Sequence, residues 1–160
     1  MEEIRMAHQE ALFNIVKQYL DSQGWKYTSD INRYRFDFSM GIGGKLNSCR
    51  MIIVAEDDGI VFLAVSPLNA DEASRASVAE YLTRANYGLK SGNFEMDYSD
   101  GEVRYKNYLR CTETIPSLSE VEFTTDVCFL MFKKYGDGLA KNLFGFGNPA
   151  RDYDAAQGNW

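Results

Sequence analysis

The fold is decided by residues 33–65, which read RYRFDFSMGIGGKLNSCRMIIVAEDDGIVFLAV. At residues 33–40, aromatic or apolar side chains alternate with charged or small ones, which is the period of a half-buried strand. A loop at 41–45 separates this strand from two more, at 48–55 and 60–65. A tight Asp-Gly hairpin turn is expected between those two. Because both are apolar on both faces, we expect them to be central in the sheet or covered on both sides.

Two helices are predicted outside this stretch. Residues 2–21 have apolar positions three and four apart, which is typical of an amphipathic helix. After the third strand, Asn69 is the expected N-cap of a second helix, because Glu72 lies at the spacing of a capping box. This second helix is predicted to run to about residue 86.

A third helix is expected to open at Ser117, where Glu120 again has capping-box spacing. Gly136 and Gly138 are expected to kink or break this helix, because an interior glycine costs about 1 kcal/mol relative to alanine. The end of the chain is mostly small and polar, so residues 149–160 are predicted to form a mobile C-terminal tail.

Two further strands, at 93–98 and 103–110, flank a second Asp-Gly turn. The complete order is α-β-β-β-α-β-β-α. Short connections between neighbouring strands favour antiparallel pairing, with helices packed on the sheet. We therefore predict one α+β domain over residues 1–148, in which a mainly antiparallel five-stranded sheet packs against three helices.

Charge and hydropathy argue against two classes of partner. The 160 residues carry a formal net charge of −6. An acidic surface repels nucleic-acid phosphates and anionic lipid headgroups, so we predict no nucleic-acid partner and no membrane partner. No apolar run approaches the roughly 20 residues that span a bilayer. The chain begins Met1-Glu2-Glu3, which is unlike a signal peptide, so a cytoplasmic location is expected.

The sequence contains no pattern typical of catalysis or of metal binding. Its three cysteines are widely spaced and His8 is its single histidine, which argues against a disulfide framework and a zinc site. Residues 41–45, GIGGK, lack the spacing of a phosphate loop. The aspartates beside the hairpin turns fit turn chemistry better than calcium binding. We therefore predict a protein that is not an enzyme, with no catalytic residues, no metal and no cofactor.

Three short motifs follow one another in the second half of the chain: AEYLTRAN at 79–86, GNFEMD at 92–97 and DGEVRYK at 100–106. In this order they resemble the YbjN domain family, a resemblance that spans roughly residues 12–147. That family is similar in fold to the chaperones of bacterial type III secretion systems, which are small acidic dimers that bind extended segments of partner proteins. The resemblance implies a type III secretion chaperone-like fold and a binding role, and it carries over no catalytic residues.

What the resemblance implies about function is a chaperone- or adaptor-like module, working as a homodimer on a polypeptide partner. Some members of the family are linked to the regulation of stress or signalling. The partner itself is not identified by any motif in the sequence.

The candidate partner-binding or dimer surface is the second face of the sheet, or the strand edge beside it. If the helices cover both faces, its apolar residues belong to the core. If the helices cover only one, these residues form an exposed apolar patch, which is typical of a partner site. The residues are Ile52, Val54, Val61, Leu63, Val65 and Tyr108.

The rival interpretation is a small-ligand sensor for an anion, or an unrecognised enzyme. It requires a concave pocket with convergent polar groups. Basic residues on the strands support it if several share one face, whereas the alternative is that they solubilise the exposed side of the sheet. These residues are Arg33, Arg35, Arg50, Arg104, Lys106 and Arg110. The lack of a histidine-centred or metal-type pattern in the sequence favours the interaction module.

Overall fold

The computed structural model describes residues 1–158, which form helices on one side of a six-stranded sheet. The elements in chain order are α1 (Glu2–Ser22), β1 (Thr28–Asp30), β2 (Arg35–Gly43), β3 (Asn47–Ala55), β4 (Gly59–Val65), α2 (Arg75–Asn86), β5 (Asn93–Met96), β6 (Val103–Arg110), α3 (Leu118–Leu143) and α4 (Pro149–Gln157). A single turn of 3-10 helix, Ile31–Arg33, joins β1 to β2.

The strands lie in the order β1-β2-β3-β4-β6-β5, and every neighbouring pair is antiparallel. The predicted α+β class and antiparallel sheet are therefore confirmed. The described chain has six strands rather than five, because the predicted order does not include β1. This strand is only Thr-Ser-Asp, with no apolar side chain whose alternation could predict it.

The core lies between the helices and one face of the sheet. Alternate strand residues such as Phe36, Met51 and Phe62 are fully buried there. Phe94 lies edge-on to three other rings, with centroids 4.9, 5.5 and 5.8 Å away, which is the favoured geometry for aromatic pairs. The aromatic residues of these strands therefore fill the core.

Of the two predicted capping boxes, the one at α3 is present and the one at α2 is not. The box at Ser117 and Glu120 is present at the start of α3. The prediction for α2 was wrong, because this helix begins at Arg75, several residues later than expected. The Asn69 side chain donates instead to the carbonyl oxygen of Asp100, 3.3 Å away. Asp71 accepts the Ser74 amide at 2.7 Å, so the segment before α2 is a turn.

The predicted break at Gly136 and Gly138 was wrong, because α3 runs through both residues. Gly138 packs directly against α2. A Cβ atom at this position would lie 2.2 Å from the hydroxyl oxygen of Tyr81. That hydroxyl donates to the carbonyl oxygen of Tyr135 at 2.8 Å. The glycine therefore permits close approach of two helices, and burial offsets its low helix propensity.

The predicted C-terminal tail also needs correction. Pro149–Gln157 forms helix α4, which packs against α2 and α3. The Asn148 side chain caps this helix by accepting the Arg151 amide at 2.9 Å, and proline occupies the first helical position. Residues 159 and 160, the last two of the predicted tail, lie outside the described residues.

Candidate functional site

The second face of the sheet is not covered by the helices of the described chain. Because side chains alternate along a strand, the register places Ile52 beside Leu63, and Val54 beside Val61, on the face opposite the core. We call this the open face. Its apolar strip consists of Ile52, Val54, Val61, Leu63, Val65 and Tyr108.

Burial differs along the apolar strip. Ile52, on β3, is 8% exposed, whereas Tyr108, on β6, is 41% exposed. The valines and Leu63 are intermediate. Of the two alternatives left open by the sequence, the structure therefore has the partly exposed strip and not a sealed second core. The binding role of these residues stays a prediction.

One charged cluster borders the strip on the side of β2. Asp37 accepts from Arg35 at 2.8 Å and from both Nε and Nη2 of Arg50, at 2.8 and 2.5 Å. The hydrogen bonds from Arg50, followed by those from Arg35, hold the pKa of Asp37 below its ordinary value. We call these three residues the Asp37 cluster.

A second cluster borders the strip on the side of β5. Glu95 accepts from Nε of Arg104 at 2.9 Å and forms an ion pair with Lys106. Burial alone would raise the pKa of Glu95, but the hydrogen bonds from Lys106 and Arg104 outweigh it and the pKa is lowered. We call these three residues the Glu95 cluster.

The six basic residues proposed as anion contacts do not all converge on one site. Arg35 and Arg50 lie in the Asp37 cluster, and Arg104 and Lys106 in the Glu95 cluster, on opposite sides of the strip. The other two are Arg33, 3.7 Å from Asp30, and Arg110, opposite Gly59 at the end of β6. A shallow hollow of about 300 Å³ beside β1 contains three of the arginines together with Asp30 and Asp37. Its cations already share carboxylates, which weakens the interpretation as an anion site.

Tyr108 closes one end of the strip. Its hydroxyl donates to the carbonyl oxygen of Asp58 at 3.1 Å. The ring crosses Gly59, where a Cβ atom would lie 2.6 Å from the hydroxyl oxygen. Burial, followed by the neighbouring Asp58, raises the pKa of Tyr108 to about 12. The ring is thus held against the β3–β4 turn while the residue stays 41% exposed.

The cysteines and the histidine are placed away from the open face. All three thiols are buried, and burial raises the pKa of Cys49 to about 12. A buried protonated thiol is a poor nucleophile. His8 has its Nε2 atom 2.5 Å from the carbonyl oxygen of Cys111. No group of three or more metal-ligating side chains occurs within residues 1–158.

The two edges of the sheet differ. The Asn86 side chain bonds both the amide and the carbonyl of Phe94, at 2.7 and 2.9 Å, and so occupies the outer edge of β5. At the other edge, β1 pairs only with Arg35, Phe36 and Asp37. The rest of β2, from residue 38 to 43, has no strand on its outer side in the described chain.

Asp37 and Glu95 were missed by the sequence analysis. Their alternation with apolar neighbours placed both on a polar face, but their cross-strand partners depend on register. Arg50 is 13 residues from Asp37 and Arg104 is nine residues from Glu95 along the chain. A paired basic and acidic residue on facing predicted strands is the signal that could have found them.

The fold and this surface define a small α+β protein with one open sheet face. No helix of the described chain has the length and apolar character needed to cross a membrane. No protein-family profile and no curated protein matches the sequence.

The structure is similar to the crystal structure of E. coli YbjN, which is described as a proposed transcription regulator. The match has a TM-score of 0.57 and 13% sequence identity, and covers 82% of this chain and 92% of that chain. At this identity the likeness shows the fold alone. The chain has a YbjN-like fold, which confirms the resemblance found in its motifs.

Proposed function

We propose that this protein is a non-catalytic interaction module, chaperone- or adaptor-like, that binds a polypeptide partner on the open face. The observation that carries the proposal is the apolar strip, which the helices of the described chain leave uncovered. A partly exposed apolar surface with a charged rim is the usual anatomy of a protein interface. The paired state of the neighbouring cations makes an anion sensor the weaker alternative.

A regulatory role is part of this proposal. The YbjN structure is that of a proposed transcription regulator. We extend regulation to this chain as an adaptor, acting in stress or signalling through protein contacts. A formal net charge of −6 disfavours direct binding to nucleic acid, which supports an indirect role.

A homodimer is also part of the proposal, and the free outer edge of β2 is the surface suited to it. Asp37 accepts a hydrogen bond from the hydroxyl of Thr28 on β1, so its carbonyl points outward. Ser39 and Gly41 follow at alternate positions, and their backbone groups point the same way. Both residues are exposed and have minimal side chains. A second copy can therefore add its own β2 in an antiparallel, two-fold arrangement.

Native mass spectrometry of the purified protein at low salt tests the dimer. We expect twice the chain mass with nothing added. A proline substitution, Ser39→Pro, removes an outward amide from β2 and should shift the population toward monomer. A monomer carrying a defined additional mass would contradict the dimer and favour the ligand-sensor interpretation.

Binding to the open face is tested by selecting displayed dodecapeptides on the wild-type protein. We expect the enriched peptides to lose at least tenfold in affinity for Leu63→Asp, because burying a carboxylate in an apolar interface costs several kcal/mol. The matched control is Leu130→Asp, on the exposed side of α3, where Leu130 is 41% exposed. Val61→Thr, which keeps the shape of the side chain, should weaken binding without risk to the fold. Equal affinity for all four proteins would remove the open face as the binding site.

A further inference from the structure

The outer edge of β2 is unprotected, whereas the opposite edge of the sheet is not. Residues 38–43 read FSMGIG, with no charged residue and no proline. Exposed edge strands of soluble proteins usually carry such residues, which prevent pairing with another chain. At the opposite edge, the Asn86 side chain already bonds the amide and the carbonyl of Phe94. The free segment of β2 therefore has the character of a strand that pairs with a partner.

Both ends of this free segment are fixed. At one end, β1 pairs with residues 35–37 and occupies their outer side. At the other end, the register with β3 shifts at Gly43, which lies opposite Asn47. The turn that follows is tied to α3, because the Asp137 carboxylate accepts the amide of Lys45 at 2.7 Å. A pairing chain therefore has a defined window, from residue 38 to residue 43.

The partner that best matches this window is the same segment of a second copy. Its exposed residues are Ser39, Gly41 and Gly43, while the side chains between them are buried in the core. The edge thus offers backbone groups and small side chains for recognition, and these are self-complementary. A second copy also brings no like charge to the seam, although the chain has a formal net charge of −6.

The register of such a pair is limited by β1. The outward backbone groups belong to Ser39 and Gly41, and in an antiparallel pair such residues lie opposite each other and exchange hydrogen bonds. A two-fold pair can thus place Ser39 opposite Ser39, Ser39 opposite Gly41, or Gly41 opposite Gly41. The first two put residue 41 or residue 43 of the second copy opposite Asp37, where Thr28 of β1 already lies. The third leaves β1 in place and puts residue 43 opposite Ser39.

We propose that two copies pair through β2 with Gly41 opposite Gly41, and that their sheets join into one sheet of twelve strands, six from each copy. This inference rests on the proposed homodimer and specifies its register. Gly41 suits the central position, because even an added Cβ atom would meet nothing within 4 Å there.

This pairing places both open faces on the same side of the joined sheet. Residues directly opposite each other on paired strands point to the same face, and Gly41 belongs to the open face in both copies. Two β2 strands separate β3 from its counterpart, so the two apolar strips are three strand spacings apart, or about 14 Å. The partner surface is therefore shared by two copies, and a polypeptide with two apolar segments can contact both strips.

Disulfide trapping at residue 41 tests the register. The Cα atoms of directly opposite hydrogen-bonded residues are about 5.5 Å apart, which is within the range of a disulfide. Gly41→Cys should therefore form a covalent dimer when the purified protein is treated with oxidised glutathione. The native thiols contribute little background, because all three are buried. Mass spectrometry without reductant measures the linked fraction.

Ser39→Cys is the matched control, two residues away on the same exposed edge. In the proposed register the two copies of residue 39 are four residues apart along the seam, or about 13 Å, which is too far for a disulfide. Its covalent dimer should form at least tenfold more slowly than that of Gly41→Cys. The linked Gly41→Cys dimer should bind the selected dodecapeptides as tightly as the wild type does, because both open faces stay exposed.

The outcomes separate this inference from the proposals on which it rests. A wild-type monomer in native mass spectrometry would overturn the homodimer and this inference with it. A wild-type dimer that Gly41→Cys does not trap would overturn the register alone. Self-linking of Ser39→Cys, or linking of the two variants to each other in an equimolar mixture, would also overturn it and would mean that β1 is displaced. Loss of peptide binding in the linked dimer would overturn the shared open face and leave the homodimer standing.

Discussion

Gly138→Ala should destabilise the protein by about 1–3 kcal/mol, the usual cost of overpacking a core. On helix propensity alone the opposite is expected, since alanine is favoured over glycine by about 1 kcal/mol inside a helix. The new methyl carbon would lie 2.2 Å from the Tyr81 hydroxyl oxygen and 2.6 Å from Cζ of the same ring. Tyr81 is fully buried and cannot swing into solvent. Urea unfolding followed by circular dichroism measures the difference.

Gly136→Ala is the matched control, two residues away on the same helix. A Cβ atom at this position would lie 3.5 Å from Cδ1 of Leu46, which is ordinary van der Waals contact. We expect this variant to be unchanged or more stable by up to about 1 kcal/mol. Similar effects of the two substitutions, in either direction, would contradict the assignment of Gly138 as a close-packing position between α2 and α3.

The sheet could be predicted from the sequence because its signal is local. Alternation in residues 33–40 and the continuous apolar runs that follow define which side chains share a face, whatever the strand order. The residues of the strip, from Ile52 to Tyr108, can therefore be predicted from the sequence alone. Its exposure could not be, because the side on which the helices pack depends on contacts between distant parts of the chain.

The two charged clusters could not be predicted from local sequence patterns. Asp37 is one polar residue in the alternating pattern of β2, a pattern common to half-buried strands. Its part in the cluster depends on Arg50, which lies on the neighbouring strand β3 and donates to it. Each basic residue, read alone, is equally a solubilising group or an anion contact. Only the register shows that four of them share two carboxylates. The sequence thus predicted the residue types of the site, but not their pairing.

The C-terminal helix α4 was not predicted, for a different reason. Residues 149–157 read PARDYDAAQ, which has few large apolar side chains and therefore little periodicity. Its cap, Asn148 followed by proline, is compatible in sequence with the end of α3 as well as with the start of a new helix. The attachment of α4 relies on a buried polar residue, Asp152, and a burial pattern of apolar residues cannot predict that.

Asp152→Ala should destabilise the protein by about 2–3 kcal/mol, because it removes a buried acceptor that the backbone amide of Asn148 and the buried side chain of Asn142 share. Asp152 is 2% exposed and accepts the Asn148 amide at 2.7 Å and the Asn142 side chain at 3.2 Å. Asn142 accepts in turn from the hydroxyl of Ser77 at 2.5 Å. The carboxylate therefore completes a chain of hydrogen bonds from α2 through α3 to α4.

Asp154→Ala is the control for this prediction, because it removes the same charge from an exposed position of the same helix. Its effect should stay within about 0.5 kcal/mol. Hydrogen exchange of the α4 amides gives a second readout: Asp152→Ala should accelerate exchange in α4 and at the facing end of α3, and Asp154→Ala should not. Equal stability of the two variants would mean that the hydrogen bonds of Asp152 do not anchor α4 to the domain. A large difference means that the network through Asn142 makes the last helix part of the domain.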